Sequence, residues 1–279
     1  MTEGAEPIVL TDAGEIRDAL EHTELLPHAS GDMREGATSR LRASMARFSG
    51  PLEHADRRRA VVNAIDAIDT EQARRFAAEL TVSRLTGAPL DGIEIAGAVP
   101  TEVLASCLRL RAPLEQVVAD MLAIVSVIGR GAPSSRESDA ATERMLGLGS
   151  DHPGGGVATV SILYQNFDAT WSLLTTTLAA AATGVPAVAA VPRTRRVAGV
   201  DVDLLRGRVA AGSELVLEIG QAGLPFGAGP HQCPGQALAE AIVAGIVAAI
   251  DASPYRVDPS GIVTDVDGRP TALPMSVSS

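Results

Sequence analysis

Cys233 lies in the stretch Phe226-Gly227-Ala228-Gly229-Pro230-His231-Gln232-Cys233-Pro234-Gly235, and an alanine-rich segment with helical spacing begins at Gln236. A cysteine wrapped in glycine and proline and followed at once by a helix is a thiol held at a helix N-terminus. Backbone N–H groups and the positive end of the helix dipole stabilise a thiolate there. The glycines let the backbone pass close to a large flat ligand. A structural cysteine in a packed core has no use for this pattern, so the loop points to ligation.

Four positions of the loop, Phe226, Gly229, Cys233 and Gly235, meet the pattern F-x-x-G-x-x-x-C-x-G, and Leu238-Ala239 follow. In this the chain resembles the cytochrome P-450 family. The resemblance implies haem b as cofactor, Cys233 as the axial thiolate ligand of its iron, and Phe226, Gly227, Gly229 and Gly235 as residues shaping the haem-facing loop. Thiolate donation in such proteins favours O–O bond cleavage.

The bulk properties agree with a globular protein that handles small molecules. The 279 residues are 46% hydrophobic, enough for a sizeable core in one large domain or two small ones, and the resemblance implies a single cytochrome P-450-like haem domain over 1–279. A net charge of −11 argues against nucleic acid as a partner, because phosphate neutralisation needs a basic face. The start of the chain, Met1 to Pro7, is acidic and lacks the apolar centre of a signal peptide, and there are two cysteines, Cys107 and Cys233. A reducing cytoplasm is the expected location. Ala169 to Val191 carries no charge, but it is mostly alanine and threonine and is broken by Gly184-Val185-Pro186, so it is expected to be a buried helix, with no membrane partner. Aromatic residues make up 3% of the chain, so a substrate pocket must be lined by aliphatic side chains.

Along the chain, helical spacing predicts helices over Asp12–Glu21, Leu52–Ile68, Thr70–Leu85, Pro100 onward, Pro113–Ile128 and Val157–Thr183. Thr11 or Asp12 is the expected cap of the first, and Thr70-Glu71 of the third. Gly87–Gly97 reads as a loop and Gly129–Asp139 as a mobile surface connection. Short strands are expected over Arg195–Val200, Asp201–Leu205 and Glu214–Ile219, and Tyr255–Val277 has the turn residues of a hairpin. The fold class is therefore mainly α with small β regions. Its order resembles a truncated cytochrome P-450-like fold, with a long central helix and a cysteine-ligand loop.

Other strings extend the resemblance. Glu53-His54-Ala55-Asp56-Arg57-Arg58 is similar to a family helix whose His-x-x-x-Arg binds a haem propionate; positions i and i+4 share a helix face, so His54 and Arg58 can grip one carboxylate together. Thr194-Arg195-Arg196-Val197-Ala198 resembles the strand that carries a propionate-binding arginine, and spacing to Ala198 selects Arg196. His231 matches a third propionate position. In the central helix, Gln165-Asn166-Phe167-Asp168-Ala169-Thr170 stands where the family usually has Ala-Gly-x-Asp-Thr. Asp168 matches the acid of a proton relay to dioxygen. Ala169 replaces the usual threonine, Thr170 lies one residue later, about 100° round the helix, and Asn166 replaces a glycine that leaves space over the haem. The resemblance thus implies Asp168, Thr170 and Asn166 as the catalytic group.

The chain also departs from the family. Between Thr183 and Arg193 there is no room for the helices that carry Glu-x-x-Arg, and Ile219 to Phe226 is too short for the usual region before the cysteine. The Glu71-Gln72-Ala73-Arg74 string stands before the central helix and reads as a surface pair. The missing pair normally supports the cysteine loop from behind, and such support tunes an axial ligand. A homo-oligomer, a partner protein or local repacking is expected to replace it. The resemblance implies a monooxygenase-like haem-thiolate oxidoreductase acting on a small-molecule substrate, in specialised metabolism, with a ferredoxin-type electron donor. Two alternatives stand beside it: a haem-dependent dehydratase, isomerase or cyclase, and a degenerate relative that recruits another protein.

Overall fold

The computed structural model describes residues 6–27, 35–129 and 131–277. Residues 1–5 of the acidic start and Arg130 in the Gly129–Asp139 connection lie outside them. The helices are α1 (Ala13–Glu21), α2 (Ala37–Ser44), α3 (Pro51–Asp66), α4 (Thr70–Arg84), α5 (Gly92–Cys107), α6 (Leu114–Ile128), α7 (Arg136–Leu148), α8 (Gly155–Thr183) and α9 (Gln236–Asp251). The strands are β1 (Ile8–Leu10), β2 (Leu25–Pro27), β3 (Leu90–Asp91), β4 (Thr194–Ala198), β5 (Val202–Leu204), β6 (Gly207–Val209), β7 (Glu214–Leu217), β8 (Tyr255–Val257), β9 (Val263–Thr264), β10 (Pro270–Ala272) and β11 (Pro274–Val277). The chain is mainly α with small β regions, as its spacing predicts.

Two apolar cores divide the molecule. The larger joins α2 to α9 through residues such as Leu104, Ile124, Leu163 and Ile246. The smaller lies under the sheet β1-β7-β4-β2, where Leu10, Leu215, Leu217 and Ala198 meet Ile16 and Leu20 of α1. In that sheet β1 runs parallel to β7, and β4 is antiparallel to both β7 and β2. Alternation along a strand sends successive side chains to opposite faces. Hence Arg196 of β4 is buried while Arg195 is exposed.

The central helix α8 packs on α3, α5, α6, α7 and α9. Its hydroxyl side chains are neutralised locally: Ser161, Thr176 and Thr177 each donate to the carbonyl four residues earlier. Gly184, at φ +69°, ends it. Helix α9 lies against α4 so closely that a Cβ on Gly245 would run into the Arg74 carbonyl oxygen.

Several expectations need correction. The Gly87–Gly97 loop is instead β3 followed by the start of α5, because the Asp91 side chain accepts from the Ile93 N–H and caps a helix there. Pro100 therefore sits inside α5 and does not open it; its helix is held by burial, with Val99, Val103 and Leu104 in the core. Asp69 caps α4 in place of Thr70. The Gly129–Asp139 connection ends early, because Ser135 and Ser138 form a capping box that starts α7 at Arg136. Strands β1 and β2 and helix α2 were not predicted, since each is too short for a periodic signal.

Candidate haem-thiolate site

The cysteine loop is a compact hairpin closed by its own backbone. The Cys233 N–H donates to the Phe226 carbonyl at 2.9 Å, and the Gly227 N–H to that of Leu224 at 2.8 Å. Gly227 and Gly229 turn the chain with φ of +73° and +63°. Gly229 does more, since a Cβ there would stand 2.9 Å from both the Leu20 carbonyl and the Glu21 carboxylate. The loop is thus braced by the C-terminus of α1. A second brace comes from α3, where the Arg58 Nη2 donates to the Gln232 carbonyl at 2.5 Å.

The loop forms one wall of a cavity of about 710 Å³. Cys233, Phe226, Gly227 and Gly235 line it, together with His54 and Arg58 of α3, Arg196 of β4, His231, and Asn166 and Thr170 of α8. Gly229 and Asp168 do not line it. Gly229 serves the contact with α1, while Asp168 is exposed, because its turn of α8 presents it away from the cavity. Ala169 and Thr170 face the cavity in its place, and the Asn166 Nδ2 is buried with no hydrogen-bond partner. Sequence reasoning also missed Arg47, on the 3-10 turn Ala46–Phe48, which lines the cavity. No local signal marks it, since an arginine between two helices is ordinary.

The electrostatics of the cavity are one-sided. The His54 and His231 rings lie 4.3 Å apart between centroids, at 49°. Burial, then Arg196, His54 and Arg58, pushes the His231 imidazole down to about 4. Burial and the same two arginines lower His54. Arg196, 8% exposed, is pushed down to about 10 by burial and by Arg47. Its guanidinium donates to Thr194 Oγ1 and the Arg195 carbonyl, each at 2.9 Å. Among the described residues, no carboxylate is within ion-pair distance of Arg47, Arg58, Arg196, His54 or His231. Arg196 is the buried one of these groups, and a buried cation without counter-charge is costly unless an anion joins it.

The thiol itself departs from the expectation of an easily formed thiolate. Cys233 is exposed to the cavity. Burial by the surrounding protein raises its pKa and outweighs the Gly235 N–H, Arg58 and Arg47, which all favour the anion. Two residues, Pro234 and Gly235, separate Cys233 from the first residue of α9, which weakens the pull of the helix end. A flat ligand carrying two carboxylates and a thiophilic metal fits these residues: the cations take the carboxylates and the metal takes the sulfur.

The region behind the loop is short. Residues 184–193, between α8 and β4, form no helix, and β7 is joined to the loop by turns alone. Glu71 and Arg74 form an exposed pair on the first turns of α4, with N to O at 3.7 Å. No helix of the described residues is long and apolar enough to cross a membrane.

No protein-family model matches the sequence, and no curated protein matches it. The solved structures do. CalO2 is 17% identical, with alignment over 99% of this chain and 92% of that one, at a TM-score of 0.77. Cytochrome P-450 BioI, solved in complex with an acyl carrier protein ligated to hexadec-9Z-enoic acid, is 14% identical over 97% and 92%, at 0.72. A thermophilic cytochrome P-450 from Sulfolobus tokodaii is 16% identical over 98% and 95%, at 0.67. The cysteine loop, the long helix and the order of elements around them are thus those of a cytochrome P-450-like fold, in a chain of 279 residues that is shorter than typical members.

Proposed function

We propose that the chain is a compact haem-thiolate oxidoreductase that acts on a small molecule, with Cys233 as the axial ligand. The observation that carries this reading is a cysteine facing a cavity rich in arginine and histidine, with no carboxylate among the described residues that line it, in a chain of net charge −11. Arg58, Arg196, His54 and His231 hold the two propionates. Bound haem supplies oxygen or peroxide activation through a thiolate-held iron. Phe226, Gly227 and Gly235 let the loop approach the macrocycle, while Leu238 and Ile65 add apolar lining to the same cavity. Electrons come from an external ferredoxin-type donor.

Proton handling falls to this chain's own α8. The Thr170 hydroxyl lines the cavity one turn after Asn166, so these two groups hold hydrogen bonds to a ligand, and Asp168 stays outside. The exposure of Asp168 favours a second reading, redox-neutral chemistry such as dehydration or isomerisation, in which the relay is not needed. Turnover that persists without oxygen, peroxide or reductant distinguishes it.

The primary reading is tested by reconstituting the purified chain with haem, reducing it and adding carbon monoxide. The expected result is the absorption of a thiolate-ligated carbonyl complex in the wild type and its loss in Cys233→Ala. Stoichiometric haem bound without a thiolate signature, or no haem at all, overturns it.

A further inference from the structure

The connection from α8 to β4 closes the cavity with a single thickness of chain. Ala187, Val188, Ala189, Ala190 and Val191 all line the cavity, yet Ala187 is exposed and Val188 keeps 42% of its surface in solvent. Among the described residues, positions 186–191 make no backbone hydrogen bond. The bonds that flank them run from the Val185 N–H to Thr183 Oγ1 at 3.2 Å and from the Gly220 N–H to the Pro192 carbonyl at 2.8 Å. Pro186 and Pro192 have no N–H to offer, and Gly184 turns the chain off α8 at φ +69°. The other walls are built differently. Helices α3 and α8 carry their own ladders, β4 is paired along both edges, and the cysteine loop is closed by its own backbone. A segment of small side chains with few backbone hydrogen bonds opens at lower free energy than such elements do.

Three contacts hold this strap down. Ala189 lies so close over Gly220 that a Cβ there would stand 2.5 Å from its own, and Val188 Cγ1 would be 3.4 Å from a Cβ on Gly268. Arg193, at the end of the strap, pairs with Asp267 at 2.7 Å and with Glu218 at 3.5 Å. Asp267 and Gly268 belong to the tip between β9 and β10, and that tip is fixed by Asp265. Its Oδ1 accepts from the Asp267 and Arg269 N–H groups, each at 2.9 Å, and its Oδ2 accepts from Arg269 Nε at 3.1 Å. A loosely bonded strap thus rests on a firm catch, and its strongest link to the catch is one ion pair.

We propose that residues 186–191 are a gate through which small molecules enter and leave the cavity, hinged at Gly184 and Pro192 and latched by Arg193 on Asp267. Opening lifts Val188 from Gly268 and Ala189 from Gly220 while α8, β4 and the cysteine loop keep their hydrogen bonds. The latch is half-exposed, so it holds the closed state by a small margin and releases without unfolding the protein. The gate concerns passage alone and does not depend on what the cavity holds.

Two readouts on the full chain test it: cleavage by elastase, which cuts after small aliphatic residues, and stopped-flow binding of imidazole to the haem-loaded protein. Asp267→Ala removes the catch without touching the cavity lining, and Gly220→Ala pushes a methyl against Ala189. In both variants elastase is expected to cut within 186–191 about threefold faster than in the wild type, as the open population rises. The imidazole association and dissociation rates are expected to rise together by about the same factor, with Kd unchanged, because a gate alters passage and not the bound state. Imidazole rates that stay at the wild-type values in both variants overturn the gate, even where cleavage is faster. A changed Kd at an unchanged association rate overturns it too, as does a wild type that elastase cuts elsewhere with the strap left whole. A wild type that takes up no haem sinks the proposed function instead. In that protein Nile red fluorescence replaces imidazole, and the same paired rise in rates sustains the gate while its absence removes it.

Discussion

Replacing Arg196 by methionine should have opposite effects on the empty and the haem-loaded protein. The guanidinium is 8% exposed, and no carboxylate among the described residues reaches it. Burial and Arg47 take its pKa well below the ordinary arginine value, down to about 10. At about 1.4 kcal/mol per pH unit, keeping this charge in the haem-free fold costs roughly 3 kcal/mol. Methionine keeps much of the side-chain stem, but the bonds to Thr194 Oγ1 and the Arg195 carbonyl are lost, at about 1 kcal/mol each. The haem-free Arg196→Met variant should therefore gain about 1 kcal/mol, a rise in Tm of roughly 2–4 °C. The loaded protein should lose, because a propionate then lacks its guanidinium; the haem Kd should rise at least about 30-fold. Urea unfolding of the haem-free proteins and haem titration give the two numbers. A haem-free variant less stable than wild type by more than 1 kcal/mol, together with an unchanged haem Kd, would refute the view of Arg196 as a cation waiting for an anion.

Three further outcomes follow from the geometry. Burial and Asp69 push the Cys107 thiol up to about 11, so iodoacetamide at pH 8 should label Cys233 first, and the singly labelled protein should no longer take up haem; equal labelling of both cysteines by peptide mass spectrometry would contradict this. Gly245→Ala forces α9 away from the Arg74 carbonyl, and should cost about 2–3 kcal/mol by urea unfolding; an unchanged midpoint would show that the helices can separate freely. His231 ordinarily titrates at 6.5 and is held down to about 4 in the fold. Its contribution to stability is therefore complete above pH 6.5 and lost as pH falls toward 4, by about 1 kcal/mol after discounting its partial exposure. Urea midpoints at pH 7 and pH 5 should differ less in His231→Gln than in wild type, and an identical difference would remove the assignment.

The elements that could be read from the sequence are those whose signal is local. Helix α8 shows as a long, mostly apolar run closed by Gly184, with Asp168 as its one charge, and the cysteine loop shows because its glycines and prolines follow from backbone geometry alone. The elements that were missed depend on partners far along the chain. Strand β1 forms three residues of parallel pairing with β7, about two hundred positions away, and α5 runs through Pro100 because its apolar residues are buried on several other helices. The candidate site divides in the same way. His54 and Arg58 were legible as an i,i+4 pair, and Arg196 from the resemblance of its string and its spacing to Ala198. Arg47 had no local signature, and the outward turn of Asp168 depends on the rotation of α8 within the bundle.

The sequence by itself determined that a thiol sits in a glycine-rich hairpin before a helix, and that the chain is mainly helical. Covalent geometry and periodicity act over a few residues, and no folding is needed to read them. Only the tertiary structure decided which charges share the cavity, that none of them is acidic among the described residues, and that burial holds the Cys233 thiol up. Those properties belong to the low-dielectric space enclosed by α3, α8, β4 and the loop, where segments from four parts of the chain meet.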